Sequence, residues 1–177
     1  MKIELISRSQ DVVPDRPALL FIHGAFHAAW CWDEFLLPWF AARGWEAHAI
    51  SLRGHGLSEG RERIREWTLD DYVEDVAQVL DAHDRPFVLI GHSMGGCVAQ
   101  AFAANYANRT KGACLIDTTA WYGADAPPKW RERAQTALKQ GMGALIDFQL
   151  TRWFTDAWRT SPANAGTIDA LTKIFLA

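Results

Sequence analysis

Ser93 is the residue whose setting points most clearly to chemistry. It is flanked by Gly91 and Gly95, and it separates a short apolar run, 87–90, from a stretch with apolar residues at helical spacing, 94–105. A serine on a strand-to-helix turn needs a sharp backbone bend, and glycines two residues to either side remove side chains that would collide there. The pattern therefore predicts a nucleophilic serine. The alternative, a glycine turn that holds a phosphate at a helix N-terminus, lacks the G-x-G-x-x-G spacing and the acidic residue of a dinucleotide site.

The histidines bear on this prediction, because a serine hydroxyl is a weak nucleophile until a base takes its proton. All six histidines of the chain precede Ser93. His23 and His55 follow predicted strands on the serine's side of the sheet, so either could serve as that base. Asp117 ends the fifth predicted strand, where it could be either a catalytic acid or a structural residue.

Composition excludes several classes of function. The 177 residues are 49% hydrophobic with a net charge of -3, which suits one globular core and provides no basic stripe for nucleic acid and no polybasic membrane patch. Three cysteines without a C-x-x-C pair argue against a disulfide framework or a zinc site, and we expect no metal and no cofactor. The charged start of the chain does not resemble a signal peptide, so we expect a cytoplasmic protein.

Strand and helix patterns alternate through residues 1–117. Continuous apolar runs such as 18–22 are typical of parallel strands covered on both faces, and a Thr68-x-x-Asp71 capping box begins a helix. The alternation predicts an α/β fold with a doubly wound, mainly parallel sheet. Residues 118–177 read almost wholly as helices and form a predicted lid. We predict that Phe26, Trp121 and Trp153 bind substrate, although tryptophans of the lid could equally pack as core.

Three motifs together resemble the α/β-hydrolase family. They are the Ser93 turn, the His23-Gly24-Ala25-Phe26 loop and the stretch 51–58, which contains the Arg53-Gly54-His55-Gly56 loop. They occur in the family's order between residues 18 and 96. The resemblance implies that the backbone N–H groups of Ala25 and Met94 form an oxyanion hole. Residues 23–32 are further similar to plant methylesterases and hydroxynitrile lyases, and the lid resembles that of 3-oxoadipate enol-lactonases. A small ester or lactone is thus the implied substrate, with carbon–carbon bond hydrolysis or lysis as an alternative within the same fold.

The chain departs from the family after the lid begins. The resemblance places the acid, the histidine and the last two strands after the serine. No histidine follows Ser93 here and no strand pattern follows the fifth, so we expect the N-terminal two thirds of such an enzyme. Two hypotheses result: a serine hydrolase truncated before its acid and histidine, or a non-catalytic module that binds small apolar molecules. In either case the fifth strand should lack a neighbour on one side, and the open edge should favour self-association.

Overall fold

The computed structural model describes residues 1–176; Ala177, the last residue of the predicted lid, lies outside the described residues. The chain divides into two compact units, Met1–Ala120 and Trp121–Ala177. Among the described residues, none of the helices is long and apolar enough to cross a lipid bilayer.

The first unit is built on a five-stranded sheet. Its strands are β1 (Glu4–Arg8), β2 (Ala18–Ile22), β3 (Ala47–Ser51), β4 (Phe87–His92) and β5 (Thr110–Ile116), in the spatial order β1-β3-β2-β4-β5. β1 pairs antiparallel with β3, and the other three pairings are parallel. The chain leaves β2 toward one side to form β3 and returns past it to form β4, so the predicted doubly wound, mainly parallel sheet is confirmed.

Four helices cover this sheet: α1 (Trp30–Asp33), α2 (Leu36–Ala41), α3 (Leu69–Asp81) and α4 (Met94–Asn105). The apolar spacing after β2 predicts one helix where the structure has α1 and α2. Phe35 lies between them with a non-helical backbone (φ -127°, ψ -49°), and Pro38 sits in the first turn of α2. A proline lacks the N–H that a continuous helix needs at that point, whereas the first turn of a new helix tolerates it.

The capping box predicted for α3 is present. Thr68 N–H donates to Asp71 Oδ2 at 2.8 Å, and Asp71 N–H donates to Thr68 Oγ1 at 3.4 Å. Beyond this first turn, α3 turns the apolar stripe predicted for it inward; its buried members are Tyr72, Val73, Val76, Val79 and Leu80. The local pattern therefore determined both where α3 begins and which face it buries.

Apolar residues fill both faces of the sheet. Every residue of β2 is buried; Leu20 and Ile22 join the cluster formed with α3 and α4, while Leu19 and Phe21 join the cluster formed with α1 and α2. A strand covered on both faces needs apolar residues throughout, which explains its unbroken apolar sequence. β5 differs, because it is the end strand of the sheet and its last four residues are exposed.

The second unit consists of α5 (Ala126–Gln140), α6 (Ile146–Trp153), α7 (Asp156–Arg159) and α8 (Ala165–Leu176), with 3-10 turns at Met142–Leu145 and Pro162–Asn164. Its aromatic residues pair locally: the Tyr122 and Trp130 rings lie 5.3 Å apart, and Phe154 stacks on Trp158 at 4.2 Å. The second predicted helix of this region starts later than its apolar spacing indicated, because the residues after Gly141 form a 3-10 turn before α6 begins.

Candidate active site

Ser93 lies between the carboxyl end of β4 and the first residue of α4. Its backbone has φ 52° and ψ -116°, a positive φ that few non-glycine residues adopt. Such strain persists only where the surrounding structure enforces it, and it clusters at functional sites. Ser93 N–H donates to Ile116 O of β5 at 2.9 Å, which holds the strained turn against the neighbouring strand.

The two glycines of the motif are required by close backbone packing. A β-carbon on Gly91 would overlap the carbonyl oxygen of Gly95, and one on Gly95 would overlap the Ile22 carbonyl oxygen and lie 2.5 Å from that of His23. Both obstacles are main-chain atoms, which cannot rotate out of the way. The collision that the spacing of the motif predicted is therefore present, and it occurs where α4 packs across the ends of β4 and β2.

The loop after β2 lies against the serine turn. A β-carbon on Gly24 would come within 2.9 Å of His92 Nδ1, so a larger residue here would have to displace the His92 ring. Ala25 follows in the same loop and is half-buried. The structure thus brings the loop of Ala25 beside the residue that precedes Ser93. The two segments meet where the chain reverses its direction across the sheet, a position where open α/β sheets bind ligands.

Met94 is the first residue of α4. The N–H groups of a helix's first turn have no acceptor within the helix, and they carry the positive end of its dipole. The Met94 N–H group therefore suits a developing negative charge beside Ser93. Phe26, in the loop after β2, has φ 69° and an 86% exposed side chain, so its ring is open to a ligand at the same edge.

His23 is fully buried, and both of its ring nitrogens are engaged by the backbone. Nδ1 donates to Gly24 O at 2.7 Å, and Nε2 accepts from Leu52 N–H at 3.0 Å. Burial lowers the pKa of His23 to about 4, although the bond to Gly24 opposes that shift. His23 is therefore a neutral ring that ties the loop after β2 to β3, and using it as a base would break the bond to Leu52.

His55, the other upstream candidate, packs its ring against His23 with 4.9 Å between the centroids. Its Nδ1 lies 3.1 Å from Arg53 O, and burial lowers its pKa, which favours the neutral ring. Among residues 1–176, Ser93 Oγ makes no hydrogen bond as a helix cap, and neither His23 nor His55 is bonded to it.

An ion-pair cluster that the sequence analysis missed holds the Arg53-Gly54-His55-Gly56 loop. The Arg53 guanidinium group is 7% exposed and lies 2.8 Å from each of the carboxylates of Asp71, Glu74 and Asp75. Asp75 is fully buried and also accepts from Arg53 N–H at 2.7 Å. Acidic residues at i, i+3 and i+4 of α3 share one face, and that spacing was the available signal.

The remaining predicted residues lie in two places. Asp117 follows β5 with φ 46° and is exposed, and the neighbouring Thr118 packs against Gly96 of α4. Trp121 and Trp153 belong to the second unit, with 73% and 48% of their surfaces exposed. Their role in substrate binding stays a prediction. Among the described residues, one group could hold a metal ion, namely Glu46, His48 and His83, at the opposite edge of the sheet.

Comparison with known proteins identifies the family. The family model of the alpha/beta hydrolases matches residues 19–174. The chain belongs to this alpha/beta hydrolase family. The resemblance carried by the three motifs is therefore confirmed, and the match extends from β2 through the helices of the second unit.

Individual relatives agree with this assignment. The chain is 33% identical over 115 residues to protein phosphatase methylesterase 1 from Mus musculus, covering 62% of this chain and 30% of that protein. A hydrolase from Pseudomonas aeruginosa PA01 has the same fold with a TM-score of 0.69 and 26% identity, covering 99% of this chain and 63% of that chain. The enol-lactonase from Burkholderia xenovorans LB400 gives a TM-score of 0.70 at 23% identity, covering 98% of this chain and 64% of that chain. The chain thus spans under a third of the curated relative and just under two thirds of the solved structures.

Proposed function

We propose that the protein is a serine hydrolase of small esters or lactones, with Ser93 as the nucleophile. The observation that carries this proposal is the strained Ser93 backbone, at φ 52°, on a turn that only glycine neighbours permit. The family membership and the relatives named as a methylesterase and an enol-lactonase support the type of substrate.

In the proposed reaction, Ser93 Oγ attacks the substrate's carbonyl carbon while its proton passes to a base. The carbonyl oxygen becomes negatively charged, and the N–H groups of Ala25 and Met94 donate hydrogen bonds to it. The carbon–oxygen bond to the leaving group then breaks, the leaving oxygen takes a proton, and water hydrolyses the acyl-serine. We do not assign His23 as the base, since both of its ring nitrogens already bond to the backbone.

We further propose that residues 1–117 form the catalytic core and residues 118–177 a lid. We also propose Phe26, Trp121 and Trp153 as residues that bind the substrate. Aromatic side chains suit the apolar part of a small ester or lactone, because they contribute a large contact area with few rotatable bonds.

A second candidate function is a non-catalytic module that binds small apolar molecules. The order of the histidines favours it, since all six precede Ser93 whereas the family pattern places the catalytic histidine after the serine. The two candidates differ in whether Ser93 is an activated nucleophile.

A fluorophosphonate probe tests this difference, because it reacts covalently with activated serines. We expect intact-mass analysis of the native full-length protein to show one adduct that disappears in Ser93→Ala and persists in Ser9→Ala, a change at an exposed serine outside the site. Labelling that survives Ser93→Ala would place the nucleophile elsewhere. A folded wild-type protein that takes no label would favour the binding module.

A further inference from the structure

Three side chains at the amino ends of the parallel strands converge on one point. Glu46 immediately precedes β3, His48 is the second residue of β3, and His83 lies just beyond α3 on the way to β4. One ligand atom from each of the three residues lies within 4.8 Å of the other two. Ser93 follows the carboxyl end of β4. The cluster and the proposed active site therefore lie at opposite ends of the parallel strands.

His48 contributes a buried nitrogen that has no hydrogen bond. The residue is 3% exposed, and its Nδ1 lies 2.7 Å from Ser7 Oγ. Among residues 1–176, no group meets hydrogen-bond geometry at its Nε2; Glu46 Oε1 lies 3.3 Å away, a distance at which it pairs with the ring only when the ring is protonated. Buried polar atoms are rarely left in this state, so the nitrogen calls for a partner.

His83 is oriented so that its second nitrogen is available. Its Nδ1 donates to the carbonyl oxygen of Val79 at 2.8 Å, which leaves Nε2 with a free lone pair. Metal-bound histidines commonly donate their other ring N–H in this way, to a carbonyl or another oxygen, which sets the tautomer and the ring orientation. The His48–Ser7 contact has the same form in the tautomer whose Nδ1 carries the proton. The rings of His48 and His83 meet edge to face at 4.9 Å, and Phe87 packs against both.

One oxygen of the Glu46 carboxylate is held by Arg85. Arg85 donates to Oε2 at 2.9 Å, which positions the carboxylate and leaves Oε1 directed at His48. Arg85 also lowers the net negative charge near the cluster, so we expect weaker binding than at a site whose carboxylate has no cationic neighbour.

We propose that Glu46, His48 and His83 form a binding site for a divalent transition-metal ion such as Zn²⁺. Two imidazole nitrogens and one carboxylate oxygen are a ligand set that zinc takes, with water in the fourth position. With ligand distances of about 2.1 Å, two ligands of a tetrahedral ion lie about 3.4 Å apart, which the 3.3 Å between His48 Nε2 and Glu46 Oε1 already matches. The third ligand, within 4.8 Å of the others, needs to approach by at most about 1.4 Å.

The proposal departs from the expectation of no metal drawn from the sequence, because that expectation rested on the cysteines and this cluster contains no cysteine. A bound ion would join β3 to the segment between α3 and β4, which also meet there through the His48–His83 ring contact and the Glu46–Arg85 ion pair. The metal is thus expected to stabilise the fold, because the three ligands are close together in the folded chain and not in the unfolded chain.

Equilibrium dialysis of the native protein against Zn²⁺ tests the proposal. We expect one ion per chain, and at least about tenfold weaker binding in Glu46→Gln and in His83→Gln, which remove a ligand while keeping the side chain's size. His27→Gln is the matched control, because His27 is exposed and lies outside the cluster. Zinc should raise the melting temperature of the wild type and of the control, and not that of the two ligand variants.

A second measurement uses the wild-type protein alone, so that it does not depend on how the variants fold. On zinc addition, the ring-proton NMR resonances of His48 and His83 should shift together while those of His27 stay unchanged. Zinc binding that is equal in all four proteins would overturn the proposal. So would a wild-type protein that binds no zinc, with unshifted His48 and His83 resonances, which would leave the cluster as packed side chains with water.

Discussion

His23 shows how a single buried ring can link the loop beside Ser93 to the rest of the sheet. Folding excludes a proton from this ring, because the pKa falls from 6.5 in the unfolded chain to about 4 in the folded protein. Between these two values the unfolded chain binds a proton that the folded chain does not. The free energy of unfolding therefore falls as the pH decreases through this window, by up to about 3 kcal/mol from His23 alone.

The prediction for His23 is that His23→Gln loses this part of the pH dependence. Urea denaturation at pH 7 and pH 4.5 should show a smaller decrease in the free energy of unfolding for the variant than for the wild type. His48, whose pKa burial also lowers, is unchanged in both proteins, so its contribution cancels in the comparison. Equal pH dependence in the two proteins would show that His23 is not the buried neutral ring described above.

Ala25 is the second residue whose proposed role can be tested singly. Proline at position 25 removes the backbone N–H itself, and the loss of one oxyanion-hole donor costs on the order of a hundredfold or more in turnover. We expect this loss in Ala25→Pro, measured in the native full-length protein on p-nitrophenyl esters. Ala25→Ser keeps the donor and should be mild. Unchanged turnover in Ala25→Pro, with an unaltered circular dichroism spectrum, would exclude the role.

At the scale of elements, the joint between the Arg53 loop and α3 depends on charges that differ greatly in burial. Asp75 is fully buried and bonds both the guanidinium and the backbone N–H of Arg53, whereas the Glu74 side chain is 74% exposed. Removing one partner of a buried ion pair leaves an uncompensated charge, while an exposed partner contributes little because water screens it.

We therefore predict opposite outcomes for two substitutions on the same helix. Asp75→Asn should lower the free energy of unfolding by about 3–5 kcal/mol, and Glu74→Gln should change it by less than about 1 kcal/mol. Denaturant unfolding of both variants at neutral pH measures the contrast. Similar losses for the two would mean that Arg53 is held by the cluster as a whole and not mainly by Asp75.

At the scale of the whole molecule, β5 leaves one side of the sheet open. Among the described strands it pairs with β4 alone, and Leu115 and Ile116 are 45% and 39% exposed. Unpaired N–H and C=O groups along an apolar edge can pair with a second chain. We predict that the isolated 177-residue chain self-associates through this edge.

A charge placed on that edge should reduce the association. Light scattering should show a smaller mean mass for Leu115→Lys than for the wild type, because a lysine on an edge strand disfavours pairing. Leu57→Lys, at an 81% exposed loop position of the same unit, is the control and should associate like the wild type. A monomeric wild-type chain at micromolar concentration would contradict the prediction.

Sequence patterns alone determined the features whose causes are local. The apolar run of β2, the capping box of α3 and the spacing of Gly91, Ser93 and Gly95 each act over a few residues, so each could be recognised without the fold. The alternation of strand and helix patterns predicted the mainly parallel doubly wound sheet, and the three motifs predicted the family; both are confirmed. The catalytic roles of Ser93, Ala25 and Met94 stay predictions.

Only the tertiary structure decided which distant residues meet. Pro38 and Phe35 divided a helix that apolar spacing had drawn as one, because a missing N–H is not visible in a hydrophobic pattern. The engagement of His23 by Leu52, the burial of Asp75 against Arg53 and the meeting of Glu46, His48 and His83 join residues 22 to 37 positions apart. Such contacts depend on the order of the strands, which determines the partners of a side chain, and on burial, which determines its protonation. A short stretch of sequence specifies neither strand order nor burial.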